Sequence, residues 1–77
     1  MKGIRNIDNF LRKKNVFGNI NQVSKTITGI KNGKDFKVYY HPTKRNPLHR
    51  EKPQVVVEYK GKTFYPVDNK ELGKIFK

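Results

Sequence analysis

At 77 residues with no cysteine, the chain has room for one domain, no disulfide staple and no thiolate zinc site. A domain this small buries only about 60% of the surface its unfolded chain exposes, so its stability is marginal. Lys and Arg number 18 against 6 Asp and Glu, a net charge of +12; solubility alone asks for a magnitude of roughly 2–8, and the excess selects polyanions.

Residues 1–14 carry Ile4, Ile7, Phe10 and Leu11, a spacing that predicts one stripe of a short amphipathic helix. Asp8 sits early and Arg12, Lys13 and Lys14 sit late, as the helix dipole favours. The stripe is too short for stable membrane-surface binding and is expected to pack on a core. The opening Met1-Lys2-Gly3-Ile4-Arg5 lacks the apolar segment of a signal peptide. The longest apolar run, Val55-Val56-Val57, is far short of the ~20 residues that span a bilayer. The expectation is a soluble cytoplasmic protein with no membrane partner. Residues 15–21 read as a polar connector rich in Asn, held to the core by Val16, Phe17 and Ile20.

Asn32-Gly33 stands between two alternating runs, the pattern of a type I′ hairpin over residues 22–41. A two-residue loop sets Lys31 opposite Lys34, Gly29 opposite Phe36, Ile27 opposite Val38 and Lys25 opposite Tyr40. Val23, Ile27, Phe36, Val38 and Tyr40 then share a buried face. Ser24, Thr26, Thr28, Lys37, Tyr39 and His41 share a wet one. A second hairpin is expected over 54–67, turning at Lys60-Gly61. A two-residue turn pairs Val57 with Phe64. A Gly61 bulge shifts the register by one, leaving open which of Val56 and Val57 faces inward. Pro66 cannot donate to a ladder, so the last strand is at an edge or ends there.

Asp68 with Glu71 three positions later reads as a capping box, and Val67 with Leu72 as a hydrophobic staple. Leu72, Ile75 and Phe76 give the closing helix its apolar stripe. The expected fold is therefore α+β: an N-terminal helix, two antiparallel hairpins of about four strands, and a C-terminal helix, as one domain over 1–77.

Between the hairpins, residues 42–53 are expected to form a flexible basic loop with three prolines, Pro42, Pro47 and Pro53. A loop this long in so short a chain is disordered or functional. Lys44, Arg45, Arg50 and Lys52 cluster there beside His41 and His49. Lys25, Lys31, Lys34, Lys37, Lys60 and Lys62 add charge on or near the strands, with Tyr39, Tyr40, Tyr59 and Tyr65 interleaved. Lysine and tyrosine on one sheet face can clamp phosphates and stack unpaired bases. Strand propensity alone accounts for at least two of the tyrosines. The expected contact set is Lys37, Tyr39, His41, Lys44, Arg45, Asn46, Pro47, His49, Arg50, Lys52, Lys60 and Lys62, gripping DNA or RNA through the phosphate backbone.

The two histidines have no metal-ligand spacing, the carboxylates form no cluster, and the glycines form no phosphate loop, so no cofactor is expected. The run Lys44-Arg45-Asn46-Pro47 resembles the β-arm of the HU/IHF architectural family, which implies Arg45, Asn46 and Pro47 at the tip of a groove-binding arm. The first helix is too short for that family's dimer body. The order helix, strands, helix also resembles double-stranded-RNA-binding domains and HicA-type toxins, whose glycine-serine-histidine motif is missing here. Two other readings follow. One is a small, phage-type inhibitor docking on an acidic protein surface. The other is a HicA-like ribonuclease using His41 or His49 as base, with a tyrosine in support.

Overall fold

The fold is described for residues 3–77 by a computed structural model. Met1 and Lys2, the first two positions of the predicted N-terminal segment, lie outside the described residues. Helix α1 spans Ile4–Lys13, followed by strands β1 (Gly18–Asn21), β2 (Thr26–Lys31), β3 (Lys34–Arg45), β4 (Pro53–Tyr59) and β5 (Lys62–Phe64), and helix α2 (Asn69–Ile75) closes the chain. The five strands form one antiparallel sheet in sequential order, β1 through β5. This is the expected α+β domain, with one more strand than the two hairpins supply.

Turn chemistry sets the register of both predicted hairpins. Asn32 and Gly33 hold φ of 55° and 76°, the left-handed pair a type I′ turn requires, and Lys31 faces Lys34 as expected. Lys60 and Gly61 repeat this at 55° and 72°, so the second turn has two residues and Val57 pairs with Phe64. The bulged alternative is not taken. Val57 is buried and Val56 lies on the other face.

Paired residues point to one face, and the apolar members of each row point the same way. Ile20, Ile27, Val38, Val57 and Phe64 make one row; Gly18, Gly29, Phe36 and Tyr59 make the next. Both helices lie on this face, where Ile4, Ile7, Leu11, Leu72 and Phe76 complete the core. Phe76 sits edge-on to Phe36 at 5.1 Å and tilted on Tyr59 at 5.0 Å. The hydroxyl of buried Tyr59 donates to the Lys31 carbonyl at 2.9 Å, tying one hairpin tip to the next strand.

Four local expectations are corrected. Residues 18–21 are not connector but strand β1, recruited by pairing with β2 despite weak β propensity. Val23 is 92% exposed rather than in the core. The Asn21 carboxamide oxygen accepts from the Val23 and Ser24 amides, both at 3.0 Å, and this Asx turn takes the chain out of the strand before Val23. Phe17 does not anchor the connector; it is exposed with the Arg12 guanidinium 5.9 Å above its ring, while Val16 and Ile20 do pack inward. Asp8 lies past the first helical turn and is buried, its carboxylate accepting from Arg12 Nε at 3.1 Å instead of serving the dipole.

Helix α2 has the expected N-cap, but the return bond of the capping box falls one residue early. Asp68 caps it by accepting from the Glu71 amide at 2.9 Å, and Glu71 reaches back to accept from the Val67 amide at 3.3 Å. Asp68→Ala removes the cap of a helix too short to stand alone, and urea midpoints should show a loss of about 1 kcal/mol. Among the described residues no helix is long and apolar enough to cross a membrane.

Candidate nucleic-acid interface

The loop expected over 42–53 is shorter: residues 42–45 continue β3 and Pro53 opens β4, so only 46–52 form a loop. The loop is closed by its own backbone. The Asn46 amide donates to the Lys52 carbonyl at 2.9 Å, His49 to Asn46 at 3.2 Å and Lys52 to His49 at 3.0 Å. At its base Asn46 has no exposed surface. Its carboxamide oxygen accepts from the Leu48 and His49 amides at 2.8 and 3.3 Å, and its nitrogen donates to the Tyr65 carbonyl at 3.2 Å. Asn46 is therefore withdrawn from the expected contact set: its polar atoms are spent shaping the loop and fastening it to the chain beyond β5. The groove-tip role implied by the HU/IHF resemblance does not carry over to it.

Around that rigid base the cations stand in solvent. Lys44 and Arg45 end β3; Pro47, Leu48, His49, Arg50 and Lys52 are all exposed on the loop. Glu51 is the loop's one carboxylate, and it lies 3.6 Å from His49 Nδ1. Because strands alternate in direction, the β1–β2 turn lies at this same end of the sheet and adds exposed Lys25.

Lys37, Tyr39 and His41 occupy alternate positions of β3 on the face opposite the helices, each half-buried. Lys37 Nζ sits 4.8 Å from the Tyr39 ring centroid, and the His41 ring stacks on Tyr39 at 6.0 Å with 12° between planes. The ladder combines a cation with two aromatic rings on an uncovered sheet. Beside it on β4 stand Val56, opposite Tyr39, and Gln54, opposite His41. The three expected residues are thus brought together, and His41 continues the strand toward the loop.

Lys60 and Lys62 are placed elsewhere. They lie at the β4–β5 turn, at the opposite end of the sheet from the loop, with Lys60 Nζ 5.2 Å from the Tyr59 ring. A shallow depression of about 700 Å³ on the open face joins Lys37, Lys60 and Lys62, but Asp35 and Glu58 line it too. Glu58 is the direct cross-strand neighbour of Lys37. The middle of the sheet is therefore close to charge balance, and the cations gather at its ends. Lys31 and Lys34, outside the expected set, join Lys60 and Lys62 because the β2–β3 and β4–β5 turns share an end. The signal that finds them is turn parity in a meander, which needs the strand order. No family model, curated protein or solved structure matches this chain.

Proposed function

We propose that this is a non-enzymatic nucleic-acid-binding protein of the cytoplasm, gripping the phosphate backbone with the 46–52 loop and its flanks. The observation that carries the reading is the loop end itself. Lys44, Arg45, Arg50 and Lys52, with Lys25 nearby, surround a base pre-shaped by Asn46, and Glu51 is the only opposing charge within the loop. A preorganised cationic surface loses little conformational freedom on meeting a polyanion. Tyr39 and His41, on the part of β3 that leads to this end, offer rings to bases that leave the backbone grip, with Lys37 behind them on the same face. The absence of cysteine suits a reducing compartment.

The test is a salt series with duplex DNA, single-stranded DNA and RNA. If the loop end contacts about four phosphates on a duplex, log K against log salt has a slope near −3.6. Affinity then falls about 150-fold between 50 and 200 mM salt. Replacing Lys44, Arg45, Arg50 and Lys52 together by Gln should flatten the slope and weaken binding to every sequence alike. Binding that ignores salt, or a single protein captured in stoichiometric amount after nuclease treatment, refutes the reading; the second result favours an acidic protein surface.

A further inference from the structure

The positive charge is divided between two ends of one small sheet. A meander places its odd and even turns at opposite ends, so the β2–β3 and β4–β5 turns lie together, away from the 46–52 loop. At that far end Lys31 directly faces Lys34 across the hairpin, and Lys60 and Lys62 flank the neighbouring turn. Lys31 Nζ donates to the Asn15 carbonyl at 3.1 Å, which ties the chain just beyond α1 to the same place. Like charges placed opposite each other on paired strands are destabilising, and an anion between them removes that cost. Asp35 and Glu58 are the two carboxylates beside these turns, and both stand in rows of the open face, Asp35 opposite Ile30 and Glu58 opposite Lys37.

Distance and orientation keep the two ends apart. β3 runs from Lys34 to Arg45, twelve residues with an irregularity between His41 and Arg45, and is long enough to span most of the molecule's 33 Å major axis. Charges screen one another over about 8 Å at physiological salt, so the loop cations beyond Arg45, the length of β3 away from Lys34, act independently of the hairpin-end lysines. Lys34 shares its face with Phe36, the helix side, whereas Lys37, Tyr39 and His41 point to the open side. A strand laid along the open face meets Glu58 before the hairpin end and does not align with Lys31 and Lys34.

We infer that the protein is bivalent: one monomer holds two separate nucleic-acid segments, one at the 46–52 loop end and one at the Lys31/Lys34/Lys60/Lys62 end, and so bridges them. This rests on the nucleic-acid reading above and goes beyond it by adding a second site and a bridging activity.

The experiment captures a labelled short duplex on beads that carry an unlabelled one, with protein as the only link. Two variants are compared, Lys31, Lys34, Lys60 and Lys62 all to Gln, and Lys44, Arg45, Arg50 and Lys52 all to Gln. Every one of these side chains is at the surface, and circular dichroism checks that each variant folds. The expected result is bridging by the native protein, and loss of bridging in either variant while binding to one free duplex persists, weakened about tenfold. Mixing the two variants does not restore bridging. Binding of one duplex with no bridging by the native protein overturns the bivalent inference and leaves the parent reading standing. Bridging that survives in either variant also overturns it, since bridging by a dimer needs only one end per copy. Failure of the native protein to bind any duplex or single strand overturns both.

Discussion

Asn46→Ala is expected to lower stability by about 3 kcal/mol and to weaken nucleic-acid binding, although Asn46 has no surface with which to touch a ligand. The substitution deletes the acceptor for the Leu48 and His49 amides and the donor to the Tyr65 carbonyl. Each buried group left without a partner costs about 1–3 kcal/mol, and water reaches some of them once the loop opens. A domain of this length holds roughly 4–12 kcal/mol in all, so the loss is a large fraction, worth a fall of about 12 °C or more in Tm. The effect on binding follows from the scaffold: without its base, the loop carries Lys44, Arg45, Arg50 and Lys52 as a flexible chain, and ordering them on the ligand then costs affinity. Asn46→Asp keeps the acceptor for the two amides but turns a carboxylate oxygen toward the Tyr65 carbonyl at a site with no exposed surface, so it should lose at least as much. Urea melts and binding isotherms on the same variants separate the roles. A ligand-contacting Asn46 would lose affinity at unchanged stability; a scaffolding Asn46 loses both, and an unchanged urea midpoint would refute the scaffold.

That contrast also marks where the chain was legible. Asn32-Gly33 dictated a left-handed two-residue turn, and alternation on either side then placed Ile27, Phe36 and Val38 together, as found. Lys60-Gly61 adopts the same turn, but lysine is not a residue that selects positive φ, so two registers were compatible with it. β1 was illegible because Gly18-Asn19-Ile20-Asn21 has little strand propensity; the exposed edge of β2 makes it a strand. Asn46 was illegible for a different reason. A polar residue between lysine and proline reads as solvated, and only the tertiary contact with Tyr65 makes its burial affordable. The charge excess was plain from composition, but its partition between two ends depends on which turns share an end. That is a property of the five-strand order, and no local pattern encodes it.

The sharpest test of the core concerns two glycines that need no special backbone angle. Gly18 and Gly29 pair directly across β1 and β2, on the face beneath Phe36. A Cβ at Gly29 would lie 2.8 Å from the Phe17 carbonyl oxygen and 2.8 Å from two carbons of the Phe36 ring. At Gly18 it would meet Ile27 Cγ2 at 2.6 Å and the Thr28 carbonyl oxygen at 2.8 Å. Where space allows, Gly→Ala stabilises by about 0.4–1 kcal/mol by restricting the unfolded chain. Overpacking costs about 1–3 kcal/mol, and here the obstacles are backbone and a ring wedged against Phe76, so the steric term wins. Gly29→Ala is therefore expected to destabilise by about 2 kcal/mol. Gly73→Ala, where the new Cβ would sit at an ordinary 3.4 Å from Phe10, should be neutral or stabilising by up to about 1 kcal/mol through helix propensity. Opposite signs for the same chemical change are the measurable outcome in parallel urea melts. Shortening Phe36 to Leu should couple with the strand substitution, so that Gly29→Ala with Phe36→Leu loses less than the two singles added together. Equal, additive losses at both positions would mean that Phe36 is not packed onto the glycine pair, and that the aromatic cluster with Phe76 and Tyr59 does not set the spacing of β1 and β2.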